Sequence, residues 1–181
     1  MKKQILKLKG KAVVFIDWAN VYGWKSDLRD AIDCKKLYKY LADYSHIESI
    51  NFYHGEDENR KSKDFLGEVK KIGFSLHKKP VKYIVVGKVD NTIIKKRKCD
   101  FDIEICMSVY EHLALGFESF IFFTGDGDFE PVYQFLIHLH KQVIVVYEQG
   151  HLGKEVWNIR KGLFKTRLSY LKIIPPVSRG A

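Results

Sequence analysis

The chain is poor in the residues that staple small proteins together. Cys34, Cys99 and Cys106 are an odd set of three with no Cys-x-x-Cys pair, which supports neither a disulfide framework nor a zinc knuckle and suits a reducing compartment. No apolar run approaches the roughly 20 residues of a membrane span. The opening Met1-Lys2-Lys3-Gln4-Ile5-Leu6-Lys7 is basic, but charge interrupts it where a signal peptide needs a continuous apolar stretch. A soluble, cytoplasmic protein without a membrane partner is expected. The nucleotide-cradling patterns G-x-x-x-x-G-K-[ST] and G-x-G-x-x-G are both missing. There is no internal repeat and no low-complexity linker. His138 and His140 stand two residues apart on an expected helix, so they face different ways and make no metal pair.

What is present is a chain of 181 residues, 46% hydrophobic and 29% charged, which excludes disorder and a collagen-like repeat. That length suits one domain, residues 1–181, able to bury about 70% of its unfolded surface without a staple. Lys and Arg number 31 against 22 Asp and Glu, a net charge of +9. Such an excess favours polyanions, nucleic acid before an acidic membrane surface.

Strands and helices alternate. Ala12-Val13-Val14-Phe15-Ile16 is a continuous apolar run ending at Asp17, the mark of a strand buried on both faces. Asp33 caps a helix with Leu37, Leu41 and Tyr44 at helical spacing, and a second strand follows at Ile50–His54. Asn59 to Ile72 is amphipathic and stops at Gly73. Strand-like pieces surround Ser75-Leu76-His77 and Tyr83–Val86, and Pro80 keeps them from forming one central strand. After the charge run Lys95-Lys96-Arg97-Lys98 comes a helical stripe of Ile103, Cys106, Met107, Tyr110, Leu113 and Ala114. Ser119–Thr124 is another buried strand. The helix opening with Pro131 should bury Val132, Phe135, Leu136 and Leu139. Gln142–Tyr147 is the last expected strand, followed by a helix at about 156–161 and a basic tail reaching Arg179, which should pack back on the domain. This alternation predicts an α/β fold, a mostly parallel sheet with helices on both faces, and ligands at the carboxyl ends of its strands.

The carboxylates sit where that rule points. Asp17 closes the first strand, and Asp126 closes the Ser119–Thr124 strand, with Asp128 beyond it in a glycine-flanked turn. Asp100 should lie at a helix amino end. Asp102, two residues on, should point elsewhere, and Glu104 should share Asp100's side. Acids converging on one edge repel unless a cation lies between them, and hard oxygen donors without His or Cys favour Mg²⁺ or Mn²⁺ over zinc. Taken singly, Asp100 is also a plausible helix cap, and Asp126 and Asp128 plausible turn formers.

Phe15-Ile16-Asp17-Trp18-Ala19-Asn20 resembles the opening motif of the NYN domain family, especially its LabA-like branch. Lys98-Cys99-Asp100-Phe101-Asp102 and Thr124-Gly125-Asp126-Gly127-Asp128-Phe129-Glu130-Pro131 resemble its two later motifs, in family order. The likeness covers about residues 11–147, leaving 150–181 as helix and tail. Lys98-Cys99 fills the place of a family glycine. The resemblance implies a three-layer α/β/α, PIN-like (Rossmann-like) fold and a metal-dependent ribonuclease. It implies Asp17, Asn20, Asp100, Asp126 and Asp128 as catalytic residues, the four acids among them holding Mg²⁺ or Mn²⁺. It also implies hydrolysis that leaves a 5′-phosphate and a free 3′-hydroxyl. Lys95, Lys96, Arg97 and Lys98 could steer RNA into the site, and Trp18 and Tyr22 could stack on its bases.

Three rivals share the pattern. A haloacid-dehalogenase-type phosphatase needs an Asp where Ala19 stands, and a nucleotide-sugar transferase leaves Asp17 and Asp100 without work. The third is an RNA-binding module of the same fold without turnover. The oligomeric state is not fixed, and a homodimer stays open.

Overall fold

The structure, a computed structural model, describes residues 6–28, 32–90, 92–171 and 173. The chain begins with β1 (Ala12–Asp17), α1 (Trp18–Gly23), the single turn α2 (Lys25–Leu28) and α3 (Cys34–Ala42). It continues through β2 (Ile47–Glu56), α4 (Arg60–Ile72) and β3 (Ser75–Pro80). An excursion follows, β4 (Lys82–Val89) and β5 (Thr92–Lys98), before α5 (Asp102–Ala114), β6 (Ser119–Phe123), α6 (Glu130–His138) and β7 (Gln142–Tyr147). The last elements are α7 (Lys154–Asn158), β8 (Leu163–Arg167) and a 3-10 turn at Leu168–Leu171.

Six strands form one sheet in the order β3-β2-β1-β6-β7-β8, every neighbouring pair parallel. The first three strands step away from β1 in one direction and the last three step away from β6 in the other. The order therefore reverses at the β1–β6 seam, where a doubly wound sheet leaves a crevice at its carboxyl edge. The period-2 rule sorts the core. Ala12, Val14 and Ile16 of β1 pack under α1, α3 and α4, whereas Val13 and Phe15 pack under α5, α6 and α7. Both strands at the seam are buried through Ala12–Ile16 and Ser119–Phe123, which explains their unbroken apolar runs. The α/β architecture and parallel sheet agree with the sequence reading.

The differences are local. The expected strand at Ile50–His54 runs from Ile47 to Glu56, and Pro80 ends the edge strand β3, where its missing N–H leaves no gap in the ladder. The piece at Tyr83–Val86 belongs to no central sheet. Lys82–Val89 and Thr92–Lys98 pair antiparallel as a separate two-stranded arm, with Lys95–Lys98 on its second strand. On α6 the buried residues are Tyr133 and Leu136, while Phe135 and Leu139 are exposed and Val132 is half-buried. The stripe on α5 also turns: Ile105 and Val109 face the core, and Ile103, Met107 and Tyr110 are exposed. The helix near 156 is shorter than expected, and β8 adds a sixth strand that the sequence pattern did not reveal. Leu168 and Leu171 after it are buried in the core. The end of the basic tail, with Arg179, lies outside the described residues. Among the described residues no helix is long and apolar enough to cross a membrane.

Candidate functional site

The seam gathers the first and last sequence motifs. Asp17 is the final residue of β1 and the N-cap of α1, its Oδ1 accepting the Asn20 backbone N–H at 3.4 Å. Asn20 reaches across the seam: its Oδ1 accepts the Gly125 N–H, 3.0 Å away, beyond the end of β6. Its side chain thus ties the two strand-end loops together. Asp126 is held by Thr124, whose Oγ1 accepts the Asp126 N–H at 3.2 Å, and it caps the next 3-10 turn by accepting the Asp128 N–H at 3.0 Å. Asp128 itself is exposed.

Two glycine contacts set how tightly this loop is held. A Cβ on Gly125 would run into the His151 carbonyl oxygen, and one on Gly153 would fall 2.6 Å from the Gly127 Cα. The Gly153 N–H donates to the Gly125 carbonyl at 2.7 Å. Only glycine permits this backbone-on-backbone approach. It brings Glu155 beside Gly127, an acid near the site that no sequence motif singled out.

Electrostatics brings a further acid of the middle motif, Asp102, close to the seam. Burial pushes the Asp17 carboxyl up to about 6, and the charges of Asp102 and Asp126 push it the same way. Burial, then the charges of Asp126, Asp100 and Asp128, also hold Asp102 above the usual carboxylate range. Asp102, expected to point away, is thus within electrostatic range of Asp17. Asp100 does not cap α5, because Phe101 occupies that position and makes no side-chain cap bond. Its exposed carboxylate pairs with Lys98 at 3.6 Å. Phe101 is buried edge-on to Tyr53 at 5.8 Å, and this anchor leaves Asp100 on the arm side and Asp102 in the first helical turn. Cys99, in place of the family glycine, is accommodated at Gly55, where a Cβ would stand 2.7 Å from the Cys99 Sγ.

The acids are hard oxygen donors, and among the described residues no three of His, Cys, Asp or Glu form a ready-made metal cluster. Hard oxygen donors of this kind favour Mg²⁺ or Mn²⁺ over zinc. A further observation fits a polar occupant. The Tyr133 hydroxyl is buried without a hydrogen-bond partner, within electrostatic range of Asp126 and Asp17. Buried orphans of this kind mark places for water or an ion.

Lys82 pairs with Lys98 in the register of the arm, and Ile84 pairs with Lys96. Asp57 anchors the arm's root: the Tyr83 hydroxyl donates to it at 2.7 Å and Arg97 Nε at 3.4 Å. A cavity of about 490 Å³ opens at that root, lined by Lys79, Lys82, Lys98, Asp100 and Glu104 among others. Glu104 pairs with Lys79 and lines the same cavity as Asp100, so the two acids share a side. Trp18 is a correction. It is buried against Phe52 at 5.0 Å and Phe65 at 5.8 Å, and has no free face for a base. Tyr22 is exposed, with the Lys25 ammonium 3.9 Å over its ring.

Comparisons with known proteins bear on the family and the fold. Residues 11–160 match the family model of the NYN domain. The Low amplitude and bright protein LabA of Synechococcus elongatus is 23% identical over 150 residues, covering 82% of this chain and 79% of its own. The crystal structure of a Vibrio parahaemolyticus protein of unknown function superposes with a TM-score of 0.66 at 21% identity, over 87% of this chain and 93% of that one.

Proposed function

The chain belongs to the NYN domain family, which has the PIN-like nuclease fold, and on that premise we propose that it is a divalent-cation-dependent ribonuclease. The observation carrying this reading is the placement of Asp17 and Asp126 at the ends of the paired strands β1 and β6, their loops tied by the Gly125 N–H donating to Asn20 Oδ1, with burial and neighbouring acids raising the Asp17 carboxyl. A lone buried acid near other acids is unfavourable until a cation joins them, so the fold maintains a strained charge set at the place where such sheets bind ligands.

In this reading Asp17, Asp126 and Asp102 hold the ion, with Asp128 at the outer margin. Asp100 contributes charge from the arm side, through its pairing with Lys98. Asn20 positions the site by fixing the Gly125 loop on α1. When bound, Mg²⁺ or Mn²⁺ supplies Lewis-acid polarisation of a phosphoryl oxygen and lowers the pKa of water. The chain's own residues do the rest. Lys82, Lys95, Lys96 and Lys98 on the exposed arm attract the phosphate backbone, and Tyr22 offers an exposed ring to an unpaired base. With Lys98 beside Asp100, a strand lying along the arm is led from its cations to the acids.

The arm alone would also support a second reading, RNA held without turnover. Cleavage of end-labelled RNA titrated with Mg²⁺ and Mn²⁺ separates the two. Cleavage that rises with the ion and stops with excess EDTA is the expected result. Undiminished cleavage in EDTA would overturn the cation-dependent mechanism, and tight binding without cleavage under any ion would select the binding module.

A further inference from the structure

The outer face of α5 and α6 is wrong for a surface in this chain. In a three-layer fold, outward helix positions are normally polar, and α4 obeys with Arg60, Lys61, Lys63, Lys70 and Lys71. Although the chain has 31 Lys and Arg, α5 and α6 carry none. Ile103 is 76% exposed, Met107 59% and Tyr110 56%. Phe135 and Leu139 are exposed at α6, and the Tyr110 and Phe135 rings lie 5.3 Å apart, joining the two helices into one apolar face. These side chains present roughly 500 Å² per chain, near the upper limit for a monomer's largest patch and over half of the ~800 Å² each partner buries in a standard interface.

We infer that this face is the interface of a two-fold homodimer in which α5 packs antiparallel on α5 of a second copy. The sequence of the helix is the argument for a second copy. Ile103, Met107, Tyr110 and Ala114 are spaced four, three and four, the spacing of a helix–helix seam that is distinct from the inward Ile105 and Val109. An antiparallel axis midway between Met107 and Tyr110 sets each Ile103 against the partner's Ala114, large on small. It sets each Met107 against the partner's Tyr110, thioether on ring. The same two-fold brings Glu104 to the flank of Glu111 on the second copy, and the Lys79 ammonium paired with Glu104 offsets that like charge. RNA and acidic lipid do not fit this face, since α5 and α6 hold no Lys or Arg and carry Glu111 and Glu130. The interface leaves the α3–α4 layer, on the other face of the sheet, free.

Sedimentation of the full chain across micromolar concentrations tests this. The wild type should reach the mass of two chains. Met107→Lys and Tyr110→Glu, changes at exposed positions whose fold circular dichroism checks, should each weaken self-association at least about 30-fold. A one-to-one mixture of the two should associate again, because the introduced ammonium of one copy then meets the introduced carboxylate of the other. A wild type that stays monomeric would overturn the inference. So would variants that remain dimeric, or a dimer that instead dissociates on Val85→Glu and Ile93→Glu in the arm. Failure of the mixture to associate would overturn the antiparallel register.

Discussion

Asp17→Asn should stabilise the protein while removing its activity. Burial and the charges of Asp102 and Asp126 raise the Asp17 carboxyl from the ordinary 3.8 to about 6, which at 1.36 kcal/mol per unit is a penalty of about 3 kcal/mol. The sign follows from proton binding. Between 3.8 and about 6 the folded state keeps a proton that the unfolded chain has released, so stability falls as pH rises through that window. Above it the full penalty is present, and below it none. Asparagine carries no charge and caps a helix as well as aspartate does, so the Asn20 N–H keeps its acceptor. Allowing for the partly exposed side chain, the gain at neutral pH should be ~2 kcal/mol, or roughly 4–8 °C in Tm for a chain of this size. Differential scanning calorimetry at pH 7.5 and pH 4, in EDTA, measures it, and the difference should shrink towards zero at the lower pH. The His54 imidazole, which burial pushes down to about 4, tilts stability the opposite way, but it is common to both proteins and cancels. With Mg²⁺ the wild type should gain Tm and the variant should not, because the cation relieves a repulsion the variant lacks. A Tm that is lowered or unchanged at both pH values would refute the strained charge set, whatever happened to cleavage.

Other consequences follow from the same geometry. Asp102→Asn should lower cleavage as severely as Asp126→Asn, by about 100-fold or more at limiting Mg²⁺, whereas Asp100→Asn should lose far less. Single-turnover rates across an Mg²⁺ series check this, and equal losses at Asp100 and Asp102 would show that the two acids share the site. Neutralising Lys82, Lys95, Lys96 and Lys98 to Ala should weaken RNA binding and reduce the log–log salt slope by roughly 0.7 for each phosphate no longer neutralised. Filter binding at several salt concentrations reads that slope. Gly153→Ala should cost about 1–3 kcal/mol, since its Cβ would stand 2.6 Å from the Gly127 Cα. It should also displace the Asp126 loop, so stability to urea and cleavage rate should fall together.

The sheet, its parallel sense and the strand-end places of Asp17 and Asp126 were legible in the amino-acid order alone, because buried strands read as unbroken apolar runs and each run stops at or just before its acid. The order of the three motifs that mark the family was legible there too. Long-range packing settled everything that depends on which of two equivalent faces is buried. Both stripes of α5 are apolar, and only packing under Phe15 and Phe122 chooses Ile105 and Val109 over Ile103 and Met107. Trp18 beside an acid reads equally as a base platform or a core residue until Phe52 and Phe65 close over it. The arm and β8 have the same short apolar–basic composition, yet one stands free and the other completes the sheet, since a strand's place depends on the edge it finds. Asp100 and Asp102 differ by two residues, and the burial of Phe101 against Tyr53, a long-range contact that local sequence does not encode, leaves one beside Lys98 and the other in the first turn of α5.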